Sequence, residues 1–309
     1  SESTNTFFIG YSNGNIDLIK NGNIIHIPDI KRKMIPGMKS INNVYFRENH
    51  AYLACGFGIV LFDLDKAEIK ESYFFGEGGT QIYVNDITTD NQYIYAATEA
   101  GIYYADLNHP NLLDFNAWSK FTTLPDPEAQ YKHVALYNGM ILTVYHAGNT
   151  NQIISFNTGE WNVWTIHTAD YYEHFGTQQG NLVLSTAENT FIFGPGQTVT
   201  RTLTTYYARD VLIDQEQRLW YAAAYGGLVM VDESGNGTLI QMEGPEYLDV
   251  GEIERAASVV SDKATPLFVH CLSGARSGRA VSVLKNMGYT NVKNIGGINA
   301  YRGPVERGA

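Results

Sequence analysis

The chain has 309 residues, which at about 150 residues per domain sets an expectation of two domains and excludes a peptide hormone or knottin. Lys and Arg number 21 against 32 Asp and Glu, and the net charge of −11 excludes a sequence-independent nucleic-acid binder, which needs a broad basic face. With 44% hydrophobic and 17% charged residues, neither disorder nor a fibre is expected.

The averages hide a break. Residues 1–240 hold 13 basic and 25 acidic side chains and 35 aromatics, whereas residues 241–309 hold 8 basic, 7 acidic and 4 aromatics. The expected domains are therefore 1–240 and 241–309. Cys55 and Cys271 fall on opposite sides of the break, so no disulfide framework is legible. No apolar run approaches the roughly 18 residues of a membrane span, so no membrane insertion is expected. Ser1-Glu2-Ser3-Thr4 lacks the charged and apolar regions of a signal peptide, and the missing initiator Met allows a removed leader.

Within residues 1–240 an alternating apolar strand, a small or Gly-containing turn and a second apolar strand recur. The clearest copies are 51–63, 93–106 and 219–232; weaker ones run through Phe7 to Leu18, Met140 to Phe156 and Leu182 to Phe193. Pivots near positions 14, 58, 101, 151, 189 and 227 are spaced by about forty residues, the period of a four-stranded propeller blade. Six blade-like units predict a mainly β fold, a β-propeller, with an antiparallel sandwich as the alternative. Ala96, Ala97, Ala222 and Ala223 are expected on inner strands crowded near the axis. His26, His50, His109, His133, His146, His167 and His174 lack metal-ligand spacing, so no metal and no cofactor is expected. Gly76-Glu77-Gly78-Gly79 lacks the Lys-Ser or Lys-Thr of a phosphate loop and reads as an interblade turn.

The stretches Asn43 to Asp63, Gln81 to Ile87 and Tyr93 to Asp106 resemble the N-terminal propeller of PorZ-type proteins. These are accessory proteins of the type IX secretion system, with propellers related to those of two-component sensors. The resemblance implies an extracytoplasmic binding module, at the periplasm or cell surface, with a cell-surface protein or glycan as ligand. Those proteins continue into further propeller and a C-terminal sandwich that this sequence lacks.

Beyond the junction at Gly244-Pro245, helical spacing is predicted from Ile253 to Val260. Pro266-Leu267-Phe268-Val269 reads as a buried parallel strand ending at His270-Cys271. A loop follows, then a helix with Ser277 as N-cap, apolar positions Ala280, Val281, Leu284 and Met287, and Gly288 as its stop. A cysteine in a loop of converging N–H groups, ahead of a helix N-terminus and near Arg276, is favoured as thiolate; comparable settings lower the pKa from about 8.5 to roughly 3.5–7.5. Cys271 is thus a candidate nucleophile, against the alternative of a buried structural thiol. Cysteine phosphatases need a longer loop than the four residues between Cys271 and Arg276, and the smaller ring suits a single sulfane sulfur.

The run Cys271-Leu272-Ser273-Gly274-Ala275-Arg276-Ser277 resembles the active-site loop of rhodanese-like sulfurtransferases. The segments 284–289, 291–297 and 301–305 match that family's ending, with Tyr301 where many members have Trp. The resemblance implies that Cys271 takes a sulfur from a donor such as thiosulfate, holds it as a persulfide and passes it to a thiophilic acceptor. Arg276 would support the anionic donor, and the backbone of Leu272, Ser273, Gly274, Ala275 and Ser277 would bind it. Upstream the pattern departs. Leu248-Asp249-Val250-Gly251 echoes the family's Asp-Val-Arg element without its Arg, and the Gly-His-Ile-x-Gly-Ala segment is absent. The predicted fold is therefore multidomain, a propeller followed by a small, partial α/β segment. The alternative function is a non-enzymatic cell-surface or secretion-accessory protein with an inactive tail, or a composite chain.

Overall fold

A computed structural model describes residues 6–20, 23–147, 150–205, 207–223, 227–232, 235, 237–240, 253–254, 256–271 and 274–297. The chain divides into two compact units, Ser1–Ile240 and Gln241–Ala309. The first is a mainly β, six-bladed propeller. Blade one holds β1 (Thr6–Gly10), β2 (Ile16–Lys20) and β3 (Asn23–Ile27), followed by the short helix α1 (Asp29–Arg32). Blade two holds β4 (Ile41–Arg47), β5 (His50–Cys55), β6 (Gly58–Asp63) and β7 (Glu68–Tyr73). Blade three holds β8 (Val84–Thr89), β9 (Tyr93–Thr98), β10 (Gly101–Asp106) and β11 (Trp118–Lys120). Blade four holds β12 (Val134–Tyr137), β13 (Met140–Ala147), β14 (Thr150–Asn157) and β15 (Glu160–Ala169). Blade five holds β16 (His174–Gln178), β17 (Asn181–Ser185), β18 (Asn189–Phe193) and β19 (Val199–Thr204). Blade six holds β20 (Ala208–Ile213), β21 (Leu219–Ala223), β22 (Gly227–Val231) and β23 (Gly237–Ile240).

Every blade is an antiparallel meander in sequence order, because short tight turns leave consecutive strands no other partner. Glycine is required at some of these turns. Gly101 joins β9 to β10 at φ +98, and a Cβ there would overlap the Pro127 carbonyl oxygen. Glu77–Gly79 forms a single 3-10 turn between blades two and three.

The cores lie between blades. Ile16 and Leu18 of blade one pack with Leu53 and Phe62 of blade two, and Leu61 and Tyr73 pack with Ile87 and Ile94 of blade three. Tyr95 and Ile102 meet Val134 and Ile154, Leu142 and Trp164 meet Leu182 and Phe193, and Val183 and Ile192 meet Val211 and Tyr221. The alanines depart from the sequence expectation. Ala96 and Ala97 lie in β9 and Ala222 and Ala223 in β21, the second strands of their blades rather than the inner ones. Ala96 joins the core toward blade two and Ala97 the core toward blade four, so their small size sets blade-to-blade approach instead of fitting the axis.

The inner strands surround a channel of about 830 Å³ whose wall takes residues from all six blades. Asn43, Asp86, His133, His174 and Asp210 stand on that wall, one from each of blades two to six. The buried Asp86 carboxylate joins three blades: Oδ1 accepts from Asn43 Nδ2 at 2.5 Å and Ile87 N at 2.8 Å, and Oδ2 from Val134 N at 2.9 Å. His174 Nδ1 lies 3.4 Å from Asp210 Oδ1. Burial pulls His133 and His174 down to about 4, and for His133 the neighbouring His174 and Lys132 add to the fall. Burial pushes Asp86 up to about 7 against its three donors.

Two predictions test this wall. Asp86→Ala leaves the Val134 amide without its acceptor and should cost about 2–4 kcal/mol in urea unfolding, with Asp86→Asn milder. The second concerns pH. Between about 4 and the ordinary imidazole value of 6.5 the unfolded chain holds two more protons on His133 and His174, while the folded chain holds one more on Asp86. Net, stability rises with pH through that window; from 6.5 to about 7 Asp86 alone remains and stability declines. Thermal midpoints measured against pH should peak between 6.5 and about 7, and His133→Gln with His174→Gln should remove the rise on the acid limb and leave the decline due to Asp86; an unchanged limb contradicts the assignment.

Candidate functional site

The second unit is built from α2 (Ala256–Val259), β24 (Leu267–Cys271), α3 (Ala275–Asn286) and β25 (Val292–Gly297). β24 and β25 are parallel, with Leu267 opposite Val292 and Cys271 opposite Gly297. Among the described residues β24 pairs with β25 alone. Val269, Ala280, Leu284, Tyr289 and Val292 form a small core with Ala256. Tyr289 fastens α2 to the far end of α3, its hydroxyl lying 2.8 Å from Ala256 O and 2.6 Å from Val260 O. Lys263 Nζ sits 3.9 Å from the centre of the Tyr289 ring, a cation–π contact on the same anchor.

This frame puts Cys271 at the carboxyl end of β24 and directly before the amino end of α3. Gly274 N donates to Cys271 Sγ at 3.0 Å and Ser277 N at 3.4 Å. Gly274 can aim its amide inward because it adopts φ +92, a conformation that a Cβ disfavours. Two amides and the positive end of a twelve-residue helix therefore face one sulfur, an arrangement that stabilises negative charge on it. The Ser277 hydroxyl, fully buried, lies 3.6 Å from Sγ, 3.0 Å from Gly274 O and 3.5 Å from Gly296 O. Its one proton can serve either carbonyl, and its oxygen accepts from the Cys271 thiol.

Of the residues singled out in the sequence, Cys271, Gly274 and Ser277 come together. Ala275 and Arg276 open α3 with exposed side chains. Leu272 and Ser273 lie outside the described residues, as do 301–305. Ser277 is not the helix N-cap that spacing suggests. Gly274 holds that place, because the loop closes one turn earlier around the sulfur and turns Ser277 inward. Gly296 is a site residue that sequence reasoning did not single out. Its carbonyl accepts from Ser277, and its own N donates to Asn294 Oδ1 at 2.9 Å. The Asn two positions ahead of a Gly is the local turn signal that could have drawn attention to it.

Cys55 offers no comparable chemistry. It is fully buried in the core between blades one and two, and burial pushes its thiol up to about 12. The propeller also carries a cavity of about 570 Å³, lined in part by Lys132, Tyr145, His146, Asn151 and Tyr171. Among the described residues no helix is long and apolar enough to cross a membrane.

Comparison with known proteins finds likeness in both units. The family model for the type IX secretion protein PorZ, N-terminal beta-propeller domain, matches residues 1–119. In structure the chain is similar to PorZ of Porphyromonas gingivalis, described as an essential bacterial surface component of the type-IX secretion system. That match has 21% identity and a TM-score of 0.65, and it covers 80% of this chain and 32% of that one. The extracellular domain of the hybrid two component system BT4673 from B. thetaiotaomicron is similar at 14% identity and TM-score 0.57, over 77% of this chain and 35% of that one. In sequence, the thiosulfate sulfurtransferase PspE of Escherichia coli (strain K12) is 42% identical over 55 residues, 18% of this chain and 53% of that protein. The chain thus spans about half of the curated relative and a third of each solved one.

The two thiols should differ in reactivity. With iodoacetamide near neutral pH, Cys271 should be alkylated in the native protein and Cys55 only after unfolding, as peptide mass spectrometry would resolve. Alkylation of both thiols at one rate contradicts the geometry.

Proposed function

We propose that the chain is an extracytoplasmic propeller binding module joined to a segment that transfers sulfane sulfur through Cys271. The observation that carries the reading is the pair of amides, Gly274 N and Ser277 N, aimed at Cys271 Sγ from the start of α3. The 55-residue likeness to a thiosulfate sulfurtransferase supports it, and the likeness to PorZ supports the binding module and its placement outside the cytoplasm.

The chemistry balances without a cofactor. The Cys271 thiolate attacks the outer sulfur of thiosulfate, a new S–S bond forms, the old one breaks, and sulfite leaves with the bonding pair. Cys271 then carries a persulfide whose terminal negative charge falls within reach of the loop amides and the α3 terminus. Cyanide or another thiophile takes the terminal sulfur, leaves as thiocyanate in the cyanide case, and restores the thiolate. Arg276, exposed on the first turn of α3, is placed to attract the donor's sulfonate. The propeller's ligand, a cell-surface protein or glycan, would bind on the other unit.

A second reading has its own support. Among the described residues the sheet around β24 has two strands, few for a parallel sheet, which normally has both faces covered, and this favours a non-enzymatic binding protein with an inactive tail. Thiocyanate formation from thiosulfate and cyanide separates the two. The parent should turn over and gain the mass of one sulfur on Cys271. Cys271→Ala should lose at least about a hundredfold in rate, and Arg276→Ala should raise KM for thiosulfate by about tenfold. Equal rates for the parent and Cys271→Ala establish the second reading.

A further inference from the structure

The loop that leaves α1 collects cations in an otherwise acidic propeller. Residues 1–240 hold 13 basic side chains, and Lys31, Arg32, Lys33 and Lys39 place four of them within nine residues. No Asp or Glu lies between Asp29 and Glu48. Among these cations stands an apolar run, Met34-Ile35-Pro36-Gly37-Met38. Met34 is 97% exposed and Met38 62% exposed. Pro36 is exposed as well, while Ile35 is half-buried against the core between blades one and two. Single exposed apolar side chains are ordinary on a folded surface, but a contiguous tip of them flanked by cations marks an interaction site.

The tip is held outward by its own base. Lys39 Nζ reaches back across the loop and donates to Lys31 O at 2.8 Å and Lys33 O at 2.6 Å. Within this clasp Ile35 N donates to Lys33 O at 2.9 Å, Pro36 restricts the backbone, and Gly37 turns the chain at φ +85. On the propeller side the backbone of Met38 lies close against Gly56, where a Cβ would fall 2.6 Å from Met38 O. The Met38 backbone therefore faces blade two and its side chain is left outside. With Lys39 committed to the clasp, Lys31, Arg32 and Lys33 stay exposed and form no ion pair among the described residues.

We propose that this loop docks the propeller on an anionic lipid surface, with Met34 and Met38 at the boundary of headgroups and acyl chains and Lys31, Arg32 and Lys33 on lipid phosphates. The apolar tip ahead of the cations matches the order of chemistry in a leaflet, where anionic headgroups overlie acyl chains. A stable protein partner needs about 20–30 residues a side, against the five of this projecting tip. The net charge of −11 opposes approach to an anionic surface, so attraction is confined to within about a Debye length of the three free cations. Neither signal suffices alone, and cations and methionines act together. Docking at this depth needs no membrane-spanning segment. The inference deepens the reading of the propeller as an extracytoplasmic binding module, rests on it, and is independent of sulfur transfer by Cys271.

The test is co-sedimentation of the full chain with vesicles of equal parts phosphatidylglycerol and phosphatidylcholine, against vesicles of phosphatidylcholine alone. The partition coefficient should be at least about tenfold higher on the anionic vesicles, and added salt should lower it. Lys31→Gln with Lys33→Gln, and separately Met34→Ser with Met38→Ser, should each reduce it at least about fivefold. Thermal midpoints should not change, because all four side chains are exposed. Failure to sediment, equal partition onto both vesicles, or full binding by the double Met variant overturns the proposal; the last result identifies a cation patch for a soluble acidic protein. Cys271→Ala should sediment as the parent does. Lost vesicle binding with thiocyanate formation intact counts against this surface alone, and the converse counts against sulfur transfer alone.

Discussion

A propeller blade is a sheet with two apolar faces, and neither can be left to water over its full area. That constraint organises residues 6–240. Each interface is made once, by side chains from two neighbouring blades, so Leu53 and Phe62 serve the core with blade one while Leu61 and Tyr73 serve the core with blade three. Burial on this scale, at about 25 cal/mol per Å² of apolar surface, is non-directional and would tolerate sliding between blades. The polar wall of the channel supplies direction. Asp86 reaches Asn43 on one side and Val134 N on the other, and Asn85 Nδ2 donates to Tyr131 O. These bonds are geometric where the apolar cores are not, and they fix the register of one blade on the next.

Much of this was legible in the sequence for a physical reason. Hairpin turns, alternation and a forty-residue period are local signals, and the pivots at 14, 58, 101, 151, 189 and 227 lie at or beside hairpins. The alanines of β9 were misplaced because small size reports close approach without saying to what. Nothing in one repeat distinguishes crowding at an axis from crowding between blades. The channel wall was less legible still. Asn, Asp and His at the start of inner strands look like ordinary strand-end polar residues until the ring brings five of them to one surface.

The second unit reverses that balance. Its fold signal is weak, with a four-residue α2 and two strands among the described residues. Its site signal is strong, because a cysteine, a glycine and a serine within seven residues carry most of the geometry. The strand–loop–helix order placed Cys271, and the loop required Gly274. The inward turn of Ser277 and the part played by Gly296 stayed hidden, since they depend on β25 arriving beside α3. Tyr289 explains how so little chain keeps a defined shape. Its one hydroxyl proton can serve Ala256 O at the start of α2 or Val260 O just past its end, which ties both ends of α2 to a residue just beyond α3.

The burial of Cys55 has a consequence for the economy of the proposed reaction. Enzymes that load sulfur or oxygen onto a cysteine often discharge it to a second thiol of the same chain, which closes a disulfide and ends the cycle internally. Here the second thiol is sealed in a packed core and held protonated far above neutral pH. A sulfur on Cys271 has no internal exit by that route. The loaded state would persist until an outside nucleophile arrives, so the supply of acceptor, rather than the chain itself, would set how long the sulfur is carried.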